Sequence, residues 1–272
     1  MACSFMEESG MNRISPEAAL SAAVCGMRMY DAPIMGIASA DDSLFEGLRQ
    51  EGVVGPHFRL PKQWLPQAKS VSSLFFPMTK EVRRENAASM DWPSHSWVHS
   101  RGEGMDMIDQ VNEKLRQWLE RLEFQALSPV RQAEYFSRED VKADIYTSNW
   151  SERHVAYICG LGTFGLSKGL ITKRGVAGRF TSIVTDRVFP PDARDYTAVY
   201  EYCSFCGACA RNCPVEAISL ETGKDHVKCS AFVNETIAAH RQEGEPPRRN
   251  RRYGCGKCQV RVPCEEKACK KK

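Results

Sequence analysis

The chain has 272 residues, 42% of them hydrophobic, which is enough to bury a sizeable core. No apolar run approaches the roughly 18–20 residues that cross a bilayer, and the N-terminus lacks the basic start and apolar core of a secretory signal. We therefore expect a cytoplasmic protein with no membrane contact. The formal net charge is +3, and residues 201–272 carry 14 Lys and Arg against 9 Asp and Glu. This excess predicts either solvated segments or a binding surface for an acidic partner.

The predicted helices and strands alternate along the first part of the chain. Hydrophobic periodicity predicts an amphipathic helix over 16–30, a buried strand over 32–40, a second strand over 69–78, a long helix over 104–122 and a third strand over 124–130. A helix capped by Asp41 or Asp42 should follow the first strand. This order favours an α/β or α+β sandwich.

The segment 148–186 is rich in glycine. Asn149 and Glu152 have the spacing of a capping box, which predicts a helix that ends at Gly160. Residues 160–165 match the bare G-x-G-x-x-G pattern, but they follow a helix and not a strand, which argues against a dinucleotide site. Glycines at this density let the backbone approach a bulky ligand closely.

Four cysteines lie within eleven residues in the stretch CSFCGACARNC, and a proline follows them. The spacing C-x2-C-x2-C-x3-C-P is that of bacterial ferredoxins, in which three thiolates bind one 4Fe–4S cluster and the fourth reaches a second cluster. Zinc also favours C-x2-C pairs, but it does not need this run. The run and the later cysteines therefore predict iron–sulfur ligation in a reducing compartment.

The topology of such a run assigns the ligands to two clusters. The first cluster takes Cys203, Cys206 and Cys209 with either Cys264 or Cys269, of which Cys264 is preferred because Pro263 holds the chain extended beside it. The second cluster takes Cys213, Cys229, Cys255 and Cys258. Predicted helices over 214–220 and 228–241 would pack around the second cluster and shield it.

The chain resembles a known family in its glycine-rich and cysteine-rich segments. GLGTFGLSKGLIT, the cysteine run and YGCGKCQVRVPCE together resemble the epoxyqueuosine reductases and reductive dehalogenases, over roughly residues 30–266. The resemblance implies an α+β fold: a nitroreductase-like α/β sandwich over 1–200 that binds cobalamin base-off, and a ferredoxin-like domain with two 4Fe–4S clusters over 201–272. Full-length epoxyqueuosine reductases continue into a helical-repeat domain, so this chain resembles a short member.

The resemblance also implies roles for individual residues. The corrinoid-lining candidates are Arg101, Gly160, Gly162, Leu170 and Thr181. The family's catalytic aspartate aligns with Tyr146, and Asp144 lies two residues earlier, so either side chain is a candidate proton donor. A tyrosine hydroxyl keeps its proton at neutral pH and can donate it. The interval between Cys258 and Cys264 is longer than the family's usual one.

Two functions follow from these expectations. The first is a cobalamin-dependent iron–sulfur reductase whose clusters relay single electrons to the corrinoid, with epoxyqueuosine in tRNA as the substrate most like the family's. The second is an electron-transfer or reductive-activation protein that reduces another protein's corrinoid and has no small-molecule substrate. Both need a low-potential donor such as ferredoxin or flavodoxin, and tRNA or a corrinoid protein would be the further partner. A zinc-stabilised RNA-binding module is a third reading, which rests on the basic tail alone.

Overall fold

The computed structural model describes residues 2–140, 145–237 and 254–269 of the chain. The strands in these ranges are β1 (Ile34–Ser39), β2 (Ser70–Pro77), β3 (Ala126–Leu127), β4 (Ser137–Asp140), β5 (Ile145–Ser148), β6 (Gly162–Phe164), β7 (Leu170–Thr172), β8 (Gly178–Thr185), β9 (Ile218–Ser219) and β10 (Gly223–Lys224). The α-helices there are α1 (Ala2–Glu8), α2 (Leu44–Gly47), α3 (Pro61–Trp64), α4 (Lys80–Ala88), α5 (His95–Arg101), α6 (Glu103–Arg121), α7 (Glu152–Ile158), α8 (Ala208–Arg211) and α9 (His226–Ser230).

An antiparallel sheet in the order β1-β2-β8-β3 forms the centre of the molecule. Leu74 and Phe76 of β2 pack with residues of α6 in one hydrophobic cluster. Val71, on the opposite face of the same strand, packs with Val155 and Ile158 of α7 in another. The sheet is therefore buried between helices on both faces, and the fold is mixed α+β.

Several elements predicted from periodicity are present. The strands predicted over 32–40 and 69–78 are confirmed as β1 and β2, and the long helix predicted over 104–122 is confirmed as α6. The third strand is shorter than predicted and consists only of β3. The apolar runs of β1 and β2 and the 3.6-residue periodicity of α6 therefore located these elements.

The helix predicted over 16–30 is wrong. This segment contains one 3-10 turn, Ala22–Val24, and then folds back so that the Ile14 and Met27 backbones pair. Gly26 makes the reversal with φ +74°, a conformation outside the α-helix. The helical spacing of apolar residues over 16–30 therefore did not predict the structure, because the chain reverses at Gly26.

The helix predicted over 214–220 is also wrong. Glu216 has φ +51°, and the residues after it form β9, which pairs with β10 in a short hairpin. In the helix predicted over 228–241, α9 begins earlier, at His226, where the Asp225 side chain accepts a hydrogen bond from the Lys228 amide at 2.9 Å. The chain continues as a π-helix, Ala231–Ile237, and the rest of the predicted helix lies outside the described residues.

The C-terminal residues pack onto the central sheet and its helices, which we call the sheet domain. The Val176 amide donates to the carbonyl oxygen of Cys264 at 2.9 Å. Arg83 of α4, which is 5% exposed, bonds Glu265 at 2.8 Å and Glu266 at 2.6 Å. Within the described ranges, no helix is both long enough and apolar enough to cross a membrane.

Candidate iron–sulfur centres

Five cysteines line one pocket between the first cysteine run and the C-terminal segment. The pocket encloses about 380 Å³ of empty space, part of it open to solvent. Its thiols are Cys203, Cys206, Cys209, Cys264 and Cys269. All the candidates predicted for the first cluster, including both alternatives for the last ligand, therefore meet at one place.

The backbone around this pocket explains how the thiols come together. Gly207 has φ +69° and directs the chain into α8, which carries Cys209. Cys264 is held by its pairing with Val176, and the Cys269 amide donates to the carbonyl oxygen of Tyr202 at 3.2 Å. Because both late cysteines are anchored beside the run, the preference for Cys264 stays a prediction.

The other four predicted ligands form a second set. The pKa of Cys255 is raised to about 12, chiefly by burial, with Cys258 and Cys213 adding to the rise. Burial also raises the pKa of Cys258, and Cys229 and Cys213 contribute. The Cys213 sulfur accepts a hydrogen bond from the Ala217 amide at 3.2 Å. These mutual influences show that the four thiols lie near one another.

Cys209 and Cys258 connect the two sets. Burial raises the pKa of Cys209 to about 11, and Cys258 is the neighbouring thiol that contributes most. Each set therefore has enough sulfur donors for one cluster, and the two sets adjoin. Among the described residues, no three His, Cys, Asp or Glu side chains converge as ligands of a single metal ion.

A buried lysine lies inside the second set, where the sequence offered no signal for it. Lys257 is 0% exposed, and its ammonium donates to the backbone oxygen of Asn86 at 2.6 Å and to Asn86 Oδ1 at 3.0 Å. Next to it, a Cβ on Gly256 would lie 2.0 Å from the Trp97 ring. The Cys255–Cys258 loop is thus held against α4 and α5 by contacts across more than 150 residues of sequence.

The corrinoid-lining candidates occupy different surroundings. Arg101 ends α5 beside Gly254. Gly160 has φ +83° and ends α7 as predicted, whereas Gly162 has a Cβ position only 2.0 Å from the carbonyl oxygen of Ile171.

The two remaining candidates are buried in the sheet domain. Leu170 packs with Phe75 and Phe164, and Thr181 accepts a hydrogen bond from Asn112 at 2.6 Å. Since each has a packing role of its own, as do Gly160 and Gly162, the corrinoid roles of all five candidates stay predictions.

Tyr146 lies on β5 and reaches the cysteine-rich part of the molecule. Its ring stacks on His226 of α9, with centroids 5.4 Å apart, three residues before Cys229. The Tyr146 hydroxyl is buried without a hydrogen-bond partner among the described residues. Asp144, the other candidate proton donor, lies outside those residues.

The capping box predicted from Asn149 and Glu152 is not formed. Asn149 instead bonds the backbones of Glu134 and Phe136, at 2.8 and 3.0 Å. Both carboxylate oxygens of Glu152 are buried beside Ser182, without a hydrogen bond of normal length in the part of the chain that the structure describes. Burial raises the pKa of Glu152 to about 7. Glu152 is thus a buried acid and not a cap.

Comparison with known proteins supports the reading of this centre as an iron–sulfur site. Residues 196–219 match a 4Fe–4S binding domain family. The match covers the first cysteine run, so the protein is of the iron–sulfur class.

The chain is also similar to two epoxyqueuosine reductases. The epoxyqueuosine reductase of Bacillus anthracis is 30% identical over 125 residues, which are 46% of this chain and 32% of that protein. The one from Bacillus subtilis is 26% identical over 208 residues, which are 75% of this chain and 49% of that protein. These matches confirm the predicted resemblance to the epoxyqueuosine reductases. The chain spans about a third to a half of the length of these relatives.

A solved structure shares the fold. The crystal structure of an epoxyqueuosine reductase with a tRNA-Tyr epoxyqueuosine-modified stem loop aligns with a TM-score of 0.50 and 20% identity, over 85% of this chain and 61% of that one. The α+β architecture is therefore one that an epoxyqueuosine reductase also adopts.

Proposed function

We propose that this protein is a cobalamin-dependent iron–sulfur reductase that resembles the epoxyqueuosine reductases. Two 4Fe–4S clusters in a ferredoxin-like domain would relay single electrons to a base-off corrinoid in a nitroreductase-like domain. The observation that carries the proposal is that the thiols of the first set line one pocket, while Cys258 of the second set lies close enough to raise the pKa of Cys209. Adjacent clusters would allow electrons to pass from the first set, which includes the exposed Cys206, to the second.

The donor chemistry fits two iron–sulfur clusters. Cys203, Cys206 and Cys209 with Cys264 would hold the first cluster, and Cys213, Cys229, Cys255 and Cys258 the second. Burial raises the pKa of the free thiols of Cys209, Cys255, Cys258 and Cys264, whereas coordination to iron deprotonates a thiol outright. Cys206 is exposed, so the first cluster is the entry point for electrons from a donor such as ferredoxin or flavodoxin.

The surroundings of the second set fit a bound corrinoid. The buried Tyr146 hydroxyl has no hydrogen-bond partner among the residues that the structure describes. Arg101 and Cys258 both act on the pKa of Arg179, so that two cations adjoin this thiol set. When bound, the corrinoid supplies low-potential two-electron chemistry at an electrophilic carbon. Gly160, Gly162, Leu170 and Thr181 would support its edge.

Tyr146 would supply the proton that reduction of a carbon centre requires. Its ring is held by His226, and its hydroxyl is free of competing acceptors among the described residues. Asp144 is the alternative donor. The substrate that the relatives suggest is epoxyqueuosine in tRNA.

The test begins with anaerobic reconstitution of the clusters and addition of cobalamin. We expect about eight irons per chain, as two 4Fe–4S clusters require, and a base-off, five-coordinate Co(II) EPR signal. Conversion of epoxyqueuosine-containing tRNA, followed by mass spectrometry, then tests the substrate. An unchanged Co(II) spectrum at stoichiometric protein would contradict the corrinoid assignment.

The same experiment distinguishes the reductase from the second candidate function, an electron-transfer or reductive-activation protein. An electron-transfer or activation protein would hold both clusters, leave tRNA unchanged and reduce the Co(II) corrinoid of an added partner protein. Bound zinc without sulfide in protein purified from cytosol would contradict both functions.

A further inference from the structure

Two arginines and a tryptophan meet beside the second cysteine set. Trp97 and Arg101 are four residues apart on α5 and therefore share one face of that helix. The guanidinium of Arg179, on β8, lies 5.7 Å from the centre of the Trp97 ring. Gly254 backs the pair, with its Cβ position 3.4 Å from Arg101 Nε. Residues far apart in sequence thus bring two guanidinium groups together.

A third arginine joins them from α7. Arg153 is exposed at the surface, and the neighbouring groups that act on its pKa are Cys258, Arg101 and Cys229. Its guanidinium donates to the carbonyl oxygen of Lys168 at 2.8 Å. The pKa of Arg179 is lowered to about 9, chiefly by burial, with Arg101 and Arg153 contributing. The three cations therefore lie within electrostatic reach of one another, and we call this group the arginine pocket.

The arginine pocket lacks acidic partners for two of its cations. Within the described part of the chain, neither Arg153 nor Arg179 forms an ion pair. The hydrogen bond of Arg179 goes to the carbonyl oxygen of Gly178 at 2.9 Å, and its Nε is buried without an acceptor.

Arg83 shows what this chain does with a buried arginine elsewhere. Its guanidinium is paired with the carboxylates of both Glu265 and Glu266. Buried polar groups of a cation are costly unless they are paired. The N–H donor of Arg179, orphaned among the described residues, is therefore suited to an anion from outside the chain, and the exposed Arg153 adds a second cation that is unpaired there.

We propose that Arg101, Arg153 and Arg179 bind a phosphate group carried by a ligand of this protein. Arginine offers a planar fork of N–H donors that matches phosphate oxygens, and three such forks can surround one tetrahedral anion. The site lies beside Cys258, so the rest of the ligand is positioned next to the second thiol set. Only the identity of the ligand that carries the phosphate rests on the proposed function.

The phosphate has two possible sources with the same chemistry. It is either the nucleotide-loop phosphate of cobalamin or a phosphate of the substrate. The negative charge of the cluster held by Cys258 and Cys229 is the competing explanation, because it would neutralise the arginines without any ligand.

Calorimetric titration of cluster-loaded protein with inorganic phosphate at low ionic strength tests the site. We expect saturable binding that Arg179→Gln and Arg153→Gln each weaken about tenfold or more, as loss of a charge-assisted hydrogen bond implies. Arg121→Gln, at an exposed position at the end of α6, is the matched control and should leave binding unchanged. Iron content verifies that each variant keeps its clusters.

Absence of saturable phosphate binding to the loaded wild type would overturn the proposal and leave the cluster as the counterion. So would equal binding by Arg179→Gln and Arg121→Gln. Neither result depends on turnover, so failure of the site and failure of the reductase function are distinguishable.

Cobalamin and cobinamide, which lacks the phosphate, identify the source. If the site holds the corrinoid's phosphate, Arg179→Gln weakens cobalamin binding but not cobinamide binding, and free phosphate competes with cobalamin. If the site holds a substrate phosphate, free phosphate and cobalamin bind together, and both corrinoids bind the variant equally. Either pattern supports the site.

Discussion

Lys257 and Asn86 join the second cysteine set to α4. The buried ammonium donates to the backbone oxygen of Asn86 at 2.6 Å and to its side-chain oxygen at 3.0 Å, while Asn86 Nδ2 donates to the carbonyl oxygen of Cys255 at 3.2 Å. Asn86 thus bonds two residues of the loop that carries Cys255 and Cys258. The geometry of these ligands depends on a helix of the sheet domain.

Replacement of this lysine should loosen the second set. In Lys257→Met the side chain keeps nearly its length, but both Asn86 oxygens lose their hydrogen-bond donor. We expect the free energy of unfolding to fall by about 2 kcal/mol. Faster iron release from one cluster, followed by EPR under a chelator, is the measurement. Lys114→Met, at an exposed position on α6, is the control. Equal iron release by both variants would contradict a supporting role for Lys257.

Glu152 should make stability depend on pH. Its pKa in the folded chain is about 7, against 4.5 for an unperturbed glutamate. The folded state therefore holds the proton more tightly. The contribution of the protonated Glu152 to the free energy of unfolding is fully present below pH 4.5. It is lost as the pH rises through 7, and the loss is on the order of 3 kcal/mol.

Urea unfolding of wild type and Glu152→Gln at pH 4.5 and pH 8 measures this contribution. The variant should gain stability relative to wild type at pH 8, because a neutral amide replaces a buried carboxylate. Glu51→Gln, at an exposed position, should show no such difference. A wild-type minus variant difference that is the same at both pH values would show that Glu152 is not a buried acid.

Cys264 and Cys269 can be distinguished by iron content, because both line the same pocket. We expect Cys264→Ser to lose about four irons, the content of one cluster, and Cys269→Ser to keep both clusters. The double variant is the control for replacement of one thiol by the other. If Cys264→Ser keeps its iron and only the double variant loses it, Cys269 can serve as the ligand.

Gly162 should be intolerant of a side chain whether or not a corrinoid is bound. A Cβ at this position would lie 2.0 Å from the carbonyl oxygen of Ile171, so Gly162→Ala must push β6 and β7 apart. We expect a cost of about 1–3 kcal/mol in urea unfolding without cobalamin. Gly47→Ala has no atom within 4 Å of the added carbon and should be nearly neutral. A Gly162→Ala chain as stable as Gly47→Ala would refute the packing role.

Tyr146→Phe should separate catalysis from stability. The hydroxyl has no hydrogen-bond partner within the described ranges, so its removal should not lower the urea midpoint. If Tyr146 donates the proton, turnover should fall by roughly 10²–10⁴-fold. Tyr196→Phe is the reverse control, because its hydroxyl bonds the carbonyl oxygen of Tyr157 and its loss should lower stability but not turnover. Full turnover in Tyr146→Phe, with loss in Asp144→Asn, would move the role to Asp144.

The sequence by itself determined the class of site and the main elements of the sheet domain. Three thiols spaced by two residues can wrap one cluster with little help from the rest of the chain, so the spacing from Cys203 to Cys213 carries the chemistry locally. Likewise, β2 and α6 bury continuous apolar faces, and their periodicity is readable from a short window.

Only the tertiary structure decided what surrounds those thiols. Arg101, Arg153 and Arg179 lie on three different elements, and nothing in the sequence indicated that Arg153 or Arg179 adjoins the thiols. Glu152 had the spacing of a cap, but the packing of α7 on the sheet placed its carboxylate beside Ser182, 30 residues away in sequence. Burial and charge pairing depend on contacts between distant segments, and local spacing does not encode those contacts.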